Sequence, residues 1–169
     1  SHFLGDDDGF GNGVFTEDAT APIALTLNSL VAAEDKVYVS GDQPYAGLTM
    51  DINATNSNAS IITVKYWNGT AYAAVSGMVD GTASGGASLA VDVNITWTLP
   101  TDWVPDNING TAGYHVELTW SANLDATVST TDIDLRQRDT AAFFVVHKAL
   151  LYRVTKTSRG FVLSSTANG

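Results

Sequence analysis

The chain contains no cysteine, which excludes disulfides, thiolate nucleophiles and cysteine-ligated zinc. Lysine is scarce, with four residues, and glutamate scarcer, with three against fifteen aspartates. The only histidines, His2, His115 and His147, lie on separate segments without the close spacing of a zinc site, and each reads as an isolated polar residue. No apolar run approaches the roughly 18–20 residues that span a bilayer. The first eight residues, Ser1 to Asp8, have neither a basic start nor an apolar stretch, so no signal peptide is expected. No Gly-x-Ser-x-Gly elbow, Walker loop or His-Glu-x-x-His motif appears. The expectation is a protein that is not an enzyme and has no cofactor, no metal and no membrane segment.

What is present is acid, unevenly placed. Net charge is −10 over 169 residues. Residues 1–135 carry −15, with Lys36 and Lys65 their only cations, whereas residues 136–169 carry +5. An acidic body with a basic tail can draw the tail onto a neighbouring copy or another acidic partner. The same acidic body repels a phosphate backbone and argues against nucleic acid. Aspartate-rich, lysine-poor composition also suits a protein that stays dispersed at high salt, as in a halophile.

Alternation with period two dominates from Tyr45 to Leu135. Leu48, Met50 and Ile52 alternate with Thr49 and Asp51; Ile62, Val64 and Tyr66 with Thr63 and Lys65. Val91, Val93, Ile95, Trp97 and Leu99 form a third series, and Tyr114, Val116, Leu118 and Trp120 a fourth. Each series predicts a strand with one buried and one wet face. Asn68-Gly69 between two such runs predicts a type I′ hairpin, and Asn109-Gly110 and Asp80-Gly81 are similar signals. Thr101 to Val104, between Pro100 and Pro105, can form one helical turn. Residues 139–152, rich in Phe and Val, read as strand. The fold class is all-β: an antiparallel β-sandwich, jelly-roll-like, over residues 22–135. It has an extended N-terminal arm (1–21) and a basic, partly apolar C-terminal segment (136–169). That segment is either the last strand of the sandwich or an extension that docks on a partner.

Tyr66-Trp67-Asn68-Gly69-Thr70, Asp80-Gly81-Thr82, Pro100-Thr101-Asp102-Trp103 and Asn109-Gly110-Thr111-Ala112-Gly113-Tyr114 follow one another in an order that resembles a known module. It is similar to β-sandwich structural proteins of tailed bacteriophages and tailed archaeal viruses, found in head decorations, turrets, fibres and tail-associated proteins. The resemblance spans residues 45–135. It departs at His115 and Glu117, where the family often has tryptophan and a basic residue, and at Tyr72, where it often has tryptophan. It implies a virion location, with assembly in the host cytoplasm, and a non-enzymatic exterior structural subunit. The partners implied are a homo-oligomer, trimer or pentamer, and other virion proteins such as major capsid or tail proteins. The alternative is a carbohydrate-binding or adhesin module for attachment to a host surface.

The candidate residues follow from these two readings. Trp97 and Trp103 are assigned to the core, while Trp67 and Tyr72, flanking a turn, are the candidate glycan contacts. Phe143, Phe144, Arg153, Lys156, Arg159 and Phe161 form the candidate partner contact, apolar bulk interleaved with cations. Five Asn-x-Ser/Thr sequons open at Asn53, Asn58, Asn68, Asn94 and Asn109, and the turn sites Asn68 and Asn109 are the candidates for N-glycosylation. Asp132 and Asp134, at i and i+2, share a strand face. With Asp51 or Asp92 they have the makings of a hydrolytic dyad, against which stands the plainer reading of a solvated acidic face.

Overall fold

The computed structural model describes residues 4–7, 15–17, 25–27, 30–32, 34–136, 142–147, 150–157 and 160–165. The chain divides into two units, residues 1–136 and 137–169. Every regular element among the described residues is a β-strand.

The first unit holds two sheets. One is built from β1 (Leu4–Asp7), β2 (Phe15–Glu17), β4 (Lys36–Gly41), β6 (Ile62–Trp67), β7 (Tyr72–Ala74), β10 (Asp106–Ile108) and β11 (Thr111–Trp120). Its order is β2-β1-β4-β11-β6-β7, with β10 paired to the start of β11. The other is built from β3 (Leu25–Thr26), β5 (Gly47–Ala54), β8 (Ser76–Asp80), β9 (Asn94–Thr98) and β12 (Ser129–Leu135), in the order β3-β12-β5-β9-β8. Among the described residues, every strand pairing within these two sheets is antiparallel.

The alternation works as the sequence predicts on β5 and β6, while β12, bulged against β5, buries Thr130 and Ile133 three positions apart. Leu48 and Met50, Ile62 and Val64, and Ile133 are essentially unexposed. They join Val37, Val39, Ile95, Trp97, Val116, Leu118 and Trp120 in one hydrophobic cluster drawn from both sheets. Burying these apolar faces is the main force holding the sheets. At one end of the cluster Tyr45, Trp97, Trp103, Tyr66 and Tyr114 pack ring on ring, with Tyr45 and Trp103 5.0 Å apart at their centroids. Trp97 and Trp103 are therefore core residues, as expected.

The chain changes sheet at most of its connections: β4 to β5, β5 to β6, β9 to β10 and β11, and β11 to β12 all cross. Between β7 and β8 a single extended segment crosses. Val75 still bonds to Val64 of the larger sheet, and Ser76 already faces Thr98 of the smaller one. The corner is Gly77, at φ 60°, where an added Cβ would stand 2.7 Å from the Thr98 hydroxyl.

Several expectations are corrected. The arm expected at 1–21 is, over its described residues, a hairpin: Leu4–Asp7 pairs with Phe15–Glu17 and with Lys36–Val39, extending the larger sheet. Strand β9 begins at Asn94, not Val91, and Val91 and Val93 are exposed. Residues 81–93 are instead held as a loop by Asp80, Thr82 and Ser88. Thr101 and Asp102 form a bend and Trp103 and Val104 continue as irregular chain, so no helical turn forms there. Asn68-Gly69 opens a four-residue loop, with Trp67 facing Tyr72 and only Gly69 at positive φ. Asn109-Gly110 is the two-residue turn with both φ positive (47° and 83°) that type I′ requires. Asp80-Gly81 leads into the long loop without a tight hairpin.

The second unit is a three-stranded antiparallel meander, β13 (Ala142–His147), β14 (Leu150–Thr157) and β15 (Gly160–Ser165). The expected strand over 139–152 thus becomes the first of these and the start of the second.

Candidate functional site: a polar and aromatic cluster on the larger sheet

The inward residues of β4 and β11 are Val37, Val39, Val116 and Leu118, so Lys36, Tyr38, Ser40, His115 and Glu117 occupy the opposite face. A wet face was expected there. Glu117 is 2% exposed, His115 0% and Tyr38 7%.

Glu117 is the centre of an ion-pair cluster. Lys36 on β4 donates to its Oε2 at 3.2 Å, Lys65 on β6 donates to its Oε1 at 3.0 Å, and the Tyr38 hydroxyl lies 3.3 Å from Oε2. Tyr38 and Lys65 are its direct cross-strand neighbours, so the register places all three side chains in one row. A carboxylate buried this far is tolerated because cations and a hydroxyl surround it.

Next to it, His115 Nδ1 lies 2.6 Å from Asp106 Oδ1 and 3.1 Å from the Gly113 carbonyl. Both neighbours are acceptors, so Nδ1 carries the proton and donates. The other oxygen of Asp106 accepts from the Tyr72 hydroxyl at 2.5 Å. Burial and the Asp106 carboxylate together push the Tyr72 pKa far above its ordinary value. Tyr72 packs edge-on against Tyr38 at 5.8 Å and at a tilt against Trp67 at 5.5 Å, joining the two polar groups into one cluster.

This arrangement ties five strands together across one face. Its carboxylates are saturated by donors, and the imidazole has no exposed surface, so the geometry suits cross-strand bracing better than proton transfer to a solvent-borne substrate. Sequence reading treats His115 as isolated, notes Glu117 only as a departure from a family pattern and passes over Asp106, because their partners are remote in sequence. The residue type opposite each position, once register is known, is the signal that finds them.

Acids at the end loops are used similarly. Asp80 accepts from the Thr82 amide and hydroxyl and from Ser88 Oγ. Asp125 accepts from the amide and hydroxyl of both Ser57 and Thr127, and these bonds hold its pKa down at about 2. Buried Asn56 bonds to Asn58, Ser60, Ser88 and Asp125, clasping three loops. Tyr66 donates to Asp102 at 2.8 Å beside an open cleft of about 270 Å³ lined also by Ser76, Thr98 and Pro100.

The other candidates are dispersed. Trp67 and Tyr72 are adjacent and half-buried, and the Tyr72 hydroxyl is committed to Asp106. Asp132 faces Asp51 across β12 and β5, and Ile133 between Asp132 and Asp134 is buried, so the three acids line the outer face of the smaller sheet. Asp51 and Asp134 are exposed. Among the described residues no three acids or histidines are placed to hold a metal ion. Asn109 is exposed at its turn, while Asn68 is half-buried and its Oδ1 accepts from the Thr70 and Ala71 amides. Phe143 and Phe144 lie on β13, Arg153 and Lys156 on β14 and Phe161 on β15, with Phe144 facing Arg153 and Lys156 facing Phe161 in register. Arg159 lies outside the described residues.

Comparison with family models, curated proteins and solved structures finds no match to this chain.

Proposed function

We propose that the chain is a non-enzymatic structural subunit on the exterior of a tailed virus particle, a head decoration or turret first and a tail-associated protein second. The observation that carries this reading is the division into an acidic two-sheet unit and a separate basic three-stranded unit, a body and a connector of opposite charge. The strand order supports a jelly-roll-like sandwich: β4 pairs β11, β5 pairs β9, and the crossing segment β7–β8 sits innermost, so the chain wraps in nested pairs. The titratable groups with the most elaborate surroundings serve cross-strand bracing, which suits a rigid building block. The subunit acts by assembly into a trimer or pentamer on major capsid or tail proteins. Antibody labelling of intact purified particles tests this: surface label is expected, and particles free of the protein refute it.

The half-exposed Trp67–Tyr72 ring pair favours a second reading, a carbohydrate-binding module. A glycan array separates the two. Strong binding that Trp67→Ala abolishes selects the second.

A further inference from the structure

We propose that the open cleft where the chain passes from β7 to β8 receives an arginine side chain of a partner protein. The partner rests on the reading of the chain as an assembly subunit, while the chemistry of the cleft rests on its lining.

The fold itself assembles the cleft. Ala74 and Ser76 stand at i and i+2 of the crossing segment, and Thr98 is the cross-strand neighbour of Ser76. The chain after β9 then supplies Leu99, Pro100, Thr101 and Asp102. Charge selects the occupant. The Tyr66 hydroxyl donates to Oδ1 of Asp102 at 2.8 Å, but a neutral donor does not balance a carboxylate. Among the described residues Oδ2 has no hydrogen-bond partner, and no lysine, arginine or histidine lines the cleft. The body's two lysines, Lys36 and Lys65, are committed to Glu117. Residues 1–135 carry −15, a field that draws cations toward this carboxylate.

Size and lining narrow the cation to a guanidinium. The cleft, about 270 Å³, is smaller than the roughly 300–1,000 Å³ of most small-molecule pockets, a size for one side chain rather than an oligosaccharide. Ala74, Leu99 and Pro100 offer apolar surface to the aliphatic stem of an arginine. The fork of N–H donors at its end meets the Asp102 carboxylate and the hydroxyls of Ser76, Thr98 and Thr101, all acceptors. A lysine ammonium has fewer donors and no planar fork to match them.

NMR titration of the isotope-labelled full-length chain with a short blocked peptide, acetyl-Gly-Arg-Gly-amide, tests this. Saturable shifts are expected at the amides of Ala74, Ser76, Thr98, Thr101 and Asp102, with a dissociation constant in the roughly millimolar range, because the ion pair is exposed. Asp102→Asn keeps an acceptor for Tyr66 and should weaken binding by about fivefold or more. Asp51→Asn, at an exposed aspartate of the smaller sheet, should leave binding unchanged. A peptide with citrulline in place of arginine keeps the shape, loses the charge and should not shift these signals. Unmoved signals elsewhere in the Asp102→Asn spectrum show that the variant is folded. Shifts spread over the whole acidic surface overturn the proposal, as do equal losses in the two variants or equal binding of the citrulline peptide. Methylguanidinium that binds more tightly than the peptide also overturns it, making the cleft a site for a free small molecule. The particle labelling above reports separately on the virion reading: peptide binding without labelled particles keeps the cleft and removes the virus.

Discussion

Glu117 occupies a strand position that a period-two reading leaves in water, yet it is buried and held by two lysines and a tyrosine. Glu117→Ala strands those donors without their acceptor. Because both lysines are partly exposed, the expected loss is about 2 kcal/mol, below the full cost of breaking a buried pair, read from urea unfolding. Tyr72→Phe removes one acceptor bond of Asp106 and should cost about 1–2 kcal/mol. Tyr72 and Tyr45 have pKa values raised above 10.0, the first by burial and Asp106 and the second by burial. The unfolded chain therefore releases these protons first. Their contribution to stability is whole below about pH 10 and is lost as pH rises toward the folded values. Unfolding midpoints measured on the alkaline side should fall from about pH 10, and less steeply in Tyr72→Phe. Asp125 runs the other way: its pKa is about 2 against 3.8 unfolded, so its contribution is present above 3.8 and lost as pH falls through 2. Ser57→Ala should move the Asp125 carboxyl titration upward, as followed by NMR.

At the scale of elements, Gly77 marks where one extended segment leaves the larger sheet for the smaller. Gly77→Ala forces a side chain into positive φ and against the Thr98 hydroxyl, and should lower stability by about 1–2 kcal/mol in thermal or urea unfolding. The strands themselves were legible wherever one face meets the core, because alternation at Leu48–Met50, Ile62–Val64 and Tyr114–Trp120 is a local property. Two kinds of element were not. Val91 and Val93 continue the alternation of β9 but lie in a loop, because the bonds of Asp80 and Thr82 across that loop outweigh strand propensity. Asn68-Gly69 and Asn109-Gly110 have the same dipeptide but different turns. The register of the flanking strands, Trp67 against Tyr72 and Ile108 against Thr111, sets loop length. The cluster around Glu117 was illegible for the same reason. It depends on which strand lies beside β11, and that is a long-range fact.

At the scale of the molecule, the division after residue 136 coincides with a change of sign, from −14 over residues 1–136 to +4 over residues 137–169. If the first unit is stable through its own core, deleting 137–169 leaves its cooperative unfolding in place, and under the proposed assembly role it lowers incorporation into particles. Circular dichroism and particle purification read the two outcomes separately. An acidic body also predicts solubility that persists or improves as salt increases, measured by light scattering. A map of the intact virus particle with this subunit labelled tests the central claim most directly. The account predicts label on the outer surface at symmetry-related positions, with density from each copy reaching its neighbour. Label confined to the interior, or particles that carry none, would contradict it.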